Sequence, residues 1–175
     1  MARLNVPNSV TVLRIVLTGV LYALAWSGPA AWFTIVFVIT GITDALDGFI
    51  ARRLRQTSAF GAWLDSVADY FFYGSSVVWL LWLRPEVGQE RTAFLALFGA
   101  LFLYLAIKLV VTRTFTGHHL WHAKVAGAAW FVFVVMTLLL GFYPWVFYSV
   151  IGIFIVALAY ELRAAYSNKW WMLWG

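Results

Sequence analysis

Six long apolar runs, broken only by short turns and clusters of charge, constrain this 175-residue chain more than any other feature. A run of about 20 apolar residues is long enough to cross a bilayer as a helix. A helix also satisfies every backbone N–H and C=O within its own segment, which lipid demands. Charged residues make up only 11% of the chain, against roughly 25% in an average soluble domain. The expected fold class is therefore an all-α membrane protein with six transmembrane helices. Its length corresponds to a single domain, residues 1–175, and no repeat, linker or low-complexity tract divides it.

The first span is expected from about Ser9 to Trp26, after a short interfacial lead, with Asn8 or Ser9 as N-cap and Pro7 just outside. No cleavable signal peptide is expected. Arg14 lies one turn inside this span and reads either as a snorkelling interfacial arginine or as a functional group. Ser27-Gly28-Pro29 is a turn. The second span starts near Ala30, but its apolar part stops at Thr43. That is too short to cross a bilayer, so the helix must run on through Asp44 and Asp47 towards Ala51. The third span must begin before Asp65, near Ala59, and ends near Leu83. Arg84 to Arg91 is a polar loop. The fourth span is expected from Thr92 to Val111, and a second polar loop from Thr112 to His122. The fifth span follows from Ala123 to Phe142, and the sixth, after Pro144, from Trp145 to Leu162. Asn168 to Gly175, with three Trp, reads as an interfacial tail.

Six spans place both termini on one side. That side holds Arg3, Arg52, Arg53, Arg55, Arg113, Arg163 and Lys169, whereas the other has only Arg84 and Arg91, balanced by Glu86 and Glu90. The excess of positive charge assigns the termini to the cytoplasm. A net charge of +5, scattered over the ends of spans, suits anionic lipid headgroups and not nucleic acid. With no Cys, disulfide and thiolate chemistry are excluded.

Against this apolar background stands DALDGFIARRLRQTSAFGAWLDSVAD, residues 44–69, which holds four of the seven acidic residues. On a helix Asp44 and Asp47 share one face, as do Asp65 and Asp69. If the two helices pack side by side, four carboxylates meet, and like charges at close range in a low dielectric need a cation. Oxygen-only ligands favour Mg²⁺, Mn²⁺ or Ca²⁺. Small residues (Ala45, Gly48, Ala51, Ala59, Gly61, Ala62) would let the helix ends approach. A purely structural alternative pairs the carboxylates with Arg52, Arg53 and Arg55.

Asp44, Asp47, Gly48, Ala51, Arg52, Gly61, Asp65 and Asp69 fit D-x2-D-G-x2-A-R-x8-G-x3-D-x3-D at every fixed position. In this the chain resembles the CDP-alcohol phosphatidyltransferases, integral membrane enzymes of phospholipid synthesis. The stretch Asn5 to Arg14 is similar to the start of many members, phosphatidylglycerophosphate synthases among them. The resemblance implies that an alcohol attacks the lipid-side phosphorus of a CDP-linked lipid such as CDP-diacylglycerol, releasing CMP. It further implies two Mg²⁺ or Mn²⁺ ions on Asp44, Asp47, Asp65 and Asp69, with Asp69 also the general base. Gly48, Arg52 and Gly61 would meet the nucleotide, although the two glycines also read as packing positions. Lys108, Arg113 and Lys124 are acceptor-binding candidates, or plain positive-inside charge. Phosphatidylglycerophosphate synthesis is the leading expectation. Phosphatidylinositol phosphate, phosphatidylserine and cardiolipin synthesis remain alternatives, since His118 to Lys124 (HHLWHAK) departs from the glycerol-phosphate members. His118, His119 and His122 read as interfacial polar residues, and Glu161 as a partner of Arg163 or of a headgroup. The rival of another class is a divalent-cation transporter. The expected setting is the cytoplasmic (inner) membrane, with the active site facing the cytoplasm and membrane lipids around it. Many relatives are homodimers, which the aromatic-rich spans permit.

Overall fold

Each turn signal ends a helix. The computed structural model describes residues 6–53, 58–112 and 121–173. They form α1 (Val6–Ser27), α2 (Ala30–Arg53), α3 (Ala59–Leu83), α4 (Arg91–Thr112), α5 (Trp121–Leu140) and α6 (Pro144–Leu173), with a short 3-10 segment, Pro85–Glu90, between α3 and α4. The fold is all-α, with no strand among the described residues.

Helix α2 does continue through Asp44 and Asp47, and α3 runs from Ala59 to Leu83 as expected. Ser58 caps α3, its extended backbone (φ −142°, ψ 154°) presenting Oγ to the Gly61 N–H at 3.0 Å. Gly141, at φ +96°, ends α5 in the left-handed conformation that favours glycine. Three expectations need correction. Helix α1 starts at Val6, not at Asn8 or Ser9; Pro7 fits in the first turn, where no N–H is needed. The Arg84–Arg91 loop is mostly helical. And the expected tail at Asn168 is a continuation of α6 to Leu173, because nothing between Glu161 and Leu173 breaks a helix: that stretch has no Gly or Pro.

Helix α1 packs along both α2 and α3, and α5 along α6. In the first group Phe37 stacks on Phe72 (ring centroids 5.0 Å apart), and Trp79 sets its edge against Tyr22 (5.1 Å) and Phe33 (5.5 Å). In the second, Phe94 stacks on Phe147 at 4.1 Å beside Trp130 and Phe133. The groups are joined by Phe37 stacked on Phe131, by the Trp130 indole N–H donating to Ser76 Oγ at 2.8 Å, and by Arg84 donating to the Leu138 carbonyl. Buried hydroxyls are satisfied within their own helices: Thr18, Thr34 and Thr40 each donate to the carbonyl one turn back.

Large apolar side chains face outward. Trp26 is 76% exposed, Trp145 69% and Leu139 64%, more apolar surface than a soluble monomer shows. Trp26 and Trp82 end α1 and α3, while Trp32 and Trp145 begin α2 and α6; Trp63, also exposed, lies near the start of α3 beside Asp65, so exposed tryptophans stand at both ends of the α1–α3 bundle. Among the described residues one helical stretch, Asn8–Ser27, is long and apolar enough to cross a membrane; Ala30–Asp44, Lys124–Leu140 and Pro144–Tyr160 are shorter apolar stretches.

A Cβ on Gly41 would overlap the Phe131 ring at the α2–α5 contact, whereas one on Gly19 would meet nothing. Gly41→Ala should lower thermal stability in detergent by about 1–3 kcal/mol. Gly19→Ala should leave it unchanged or raise it by about 0.5–1 kcal/mol.

Candidate functional site

Three helices meet at the acidic cluster, and the residue that unites them comes from α1. Asn8, Thr11, Arg14 and Thr18 are all buried and recur at helical spacing, so α1 turns a polar stripe towards α2 and α3. Arg14 is fully buried, which removes the snorkelling reading. Its Nη1 lies 2.9 Å from Asp44 Oδ1 on α2, and 3.2 Å and 2.6 Å from Asp65 Oδ1 and Asp69 Oδ1 on α3. The carboxylates keep 29%, 33% and 35% of their side-chain surface exposed. The site is thus a partly open acidic mouth closed from below by a buried guanidinium.

One ligand oxygen from each of Asp44, Asp65 and Asp69 lies within 4.8 Å of the others. Among the described residues these three carboxyl groups outnumber the one arginine that meets them, and all the donors are oxygens. That set fits a hard divalent cation, and these three residues could hold one.

The other expected site residues are placed as follows. Asp47, Gly48 and Arg52 belong to α2, but their side-chain positions lie outside the described residues. Gly61 stands in the first turn of α3, where an added Cβ would come 2.7 Å from Asn8 Oδ1. This is a close helix–helix approach, so the packing reading of Gly61 has a structural basis. Lys124 is exposed near the start of α5. The Lys108 side chain and all of Arg113 lie outside the described residues, as do His118, His119 and the side chains of His122 and Glu161. An apolar groove of about 330 Å³ between α4 (Ala93, Ala96, Ala100) and α6 (Ile151, Phe154, Ile155) shares no residue with the acidic site. Almost wholly apolar, it offers a nucleotide no hydrogen-bond partners.

A family model described as CDP-alcohol phosphatidyltransferase matches residues 4–172. The chain belongs to the CDP-alcohol phosphatidyltransferase family. Among similar proteins, one from Pseudomonas fluorescens is 42% identical over 83 residues, covering 45% of this chain and 42% of that protein. One from Yersinia enterocolitica is 45% identical over 71 residues, and one from Wigglesworthia glossinidia brevipalpis 40% over 70, each covering 38% of both chains. All three are named CDP-diacylglycerol–glycerol-3-phosphate 3-phosphatidyltransferase. The chain spans about two fifths of the length of the curated relatives it matches. No solved structure matches.

The α1–α3 contact at Gly61 lies one turn before Asp65 on α3 and falls on the same buried stripe of α1 as Arg14. Gly61→Ala should lower thermal stability, and Asn8→Ala in the same chain should recover part of the loss by removing the oxygen in the way. A non-additive double-mutant cycle, read by melting in detergent, is the expected result.

Proposed function

We propose that this chain is a single-domain membrane enzyme that transfers a phosphatidyl group from a CDP-linked lipid, CDP-diacylglycerol in the simplest case, to an alcohol, releasing CMP. Glycerol 3-phosphate is the proposed acceptor, as in the names of the relatives, which makes the product phosphatidylglycerophosphate. The observation that carries this reading is the convergence of Asp44, Asp65 and Asp69, all motif residues, at one oxygen-lined point. Six membrane-crossing helices, both termini in the cytoplasm, a cytoplasmic-facing site in the inner membrane and a homodimeric state complete the proposal. The outward-facing tryptophans and the asymmetry of Arg and Lys between the two faces support that orientation.

Asp44, Asp47, Asp65 and Asp69 are the proposed ligands of two Mg²⁺ or Mn²⁺ ions. Bound there, such ions supply the positive charge that lets a diphosphate approach a carboxylate cluster. The rest falls to the protein. Asp69 takes the proton of the acceptor hydroxyl as its oxygen bonds to the lipid-side phosphorus. The phosphorus–oxygen bond to CMP then breaks in line. Arg52 forks onto phosphate oxygens, while Gly48 leaves room for the nucleotide beside the backbone; the space beside Gly61 is taken by Asn8. Lys108, Arg113 and Lys124 are proposed to receive the phosphate of the acceptor.

The test is CMP release from liposomes holding the protein and CDP-diacylglycerol, with Mg²⁺ or Mn²⁺ and one acceptor at a time: glycerol 3-phosphate, inositol phosphate, serine or phosphatidylglycerol. Release should require both metal and glycerol 3-phosphate, and stop on chelation. Mass spectrometry should find phosphatidylglycerophosphate. Asp69→Asn should lower kcat by about 10²–10⁴-fold, the usual contribution of a general base. Product from another acceptor would reassign the specificity. Divalent-cation uptake with no CMP from any acceptor would make the chain a transporter.

A further inference from the structure

We infer that Arg14 is the counter-cation of the carboxylate site when no metal is bound, so that metal loading exchanges one cation for another. The inference rests on the proposal that these carboxylates bind a divalent ion.

The geometry carries it. A fully buried guanidinium is stable among apolar helices only if it is paired and hydrogen-bonded. Here one nitrogen, Nη1, reaches an oxygen on each of Asp44, Asp65 and Asp69. A nitrogen that reaches all three stands in the space that an ion bound to the same three oxygens would fill. Hard cations sit closer still, at about 2.0–2.6 Å from their oxygens, so an ion centred on the three atoms would have to displace the nitrogen from them. Mutual repulsion of the two cations adds to the steric conflict. Three carboxylates on two helices would push α2 and α3 apart, and a third helix supplies the charge that prevents it. The backbone under Arg14 is held, with Thr18 Oγ1 donating to its carbonyl at 2.8 Å. Arg14 is in this sense a positioning residue: it keeps the ligands gathered before the ion arrives and opposes the ion's entry.

A merely structural arginine and a competing one predict opposite effects on metal affinity. Mn²⁺ binding to the full chain in detergent can be followed by loss of the free-ion EPR signal, at alkaline pH, for wild type, Arg14→Gln and Arg14→Lys. The competing role predicts that Arg14→Gln binds Mn²⁺ more tightly by at least about fivefold, within the usual span of site–site coupling. It also predicts a lower melting temperature in EDTA that recovers towards wild type in saturating Mn²⁺. Arg14→Lys, with a shorter reach and an unforked charge, should fall between the two in Mn²⁺ affinity, and it carries the test alone if Arg14→Gln does not fold. Equal or weaker Mn²⁺ binding by the variant tested overturns the inference and leaves Arg14 a scaffold. Failure of wild type and variants alike to bind Mn²⁺ overturns the metal reading of the site as well.

Discussion

A buried arginine gripping three carboxylates is the constraint to which the rest of this molecule is fitted. Arg14, Asp44 and the Asp65–Asp69 pair come from three successive helices, and one guanidinium nitrogen lies within ion-pair distance of all three carboxylates. Breaking a buried ion pair by removing one partner costs about 3–5 kcal/mol, and less here because the carboxylates stay about a third open to water. The cluster therefore fixes the register of α1 against α2 and α3 without needing to dominate stability. Its partly open face leaves the carboxylates able to accept something from outside.

Packing does the remaining work. Lipid tails give apolar side chains little reason to seek one another, so helices associate through close contact and hydrogen bonds. The aromatic stacks supply the contact: Phe37 touches Phe72 within the first three helices and Phe131 across to α5. Gly41 makes that second contact possible, because any side chain there would occupy the place of the Phe131 ring. The indole of Trp130 on Ser76 adds a polar tie between the same halves. The acidic site thus sits in one aromatic-packed unit that a second braces.

Much of the fold was legible because membrane thickness sets a length. The apolar part of the second span stops short at Thr43, and arithmetic alone carried the helix through Asp44 and Asp47; α2 ends at Arg53. The acidic spacing placed Asp65 and Asp69 on one face, where they lie together. Arg14 was harder to read. Taken alone, a charge near a span end suits a snorkelling residue as well as a buried one. The signal that could have decided it is the set Asn8, Thr11, Arg14 and Thr18, polar positions at helical spacing within an apolar run. That marks a face turned to protein, not to lipid. Gly61 was similarly ambiguous, since a glycine kept for a neighbouring helix and one kept for a ligand look alike until Asn8 is seen against it. The extension of α6 beyond Asn168 depended on the absence of a breaker, a weaker signal than three terminal tryptophans seemed to offer.

Among the described residues Arg14, Asp44, Asp65 and Asp69 are all encoded before residue 70, and α4 does not begin until Arg91. At about 5–20 residues per second, a ribosome needs on the order of ten seconds to translate the stretch from Asp69 to the end of α6 at Leu173. A nascent chain could neutralise its costliest side chains during that interval, while the second aromatic unit is still being translated. Assembly of the first three helices around that cluster then need not wait for the last three.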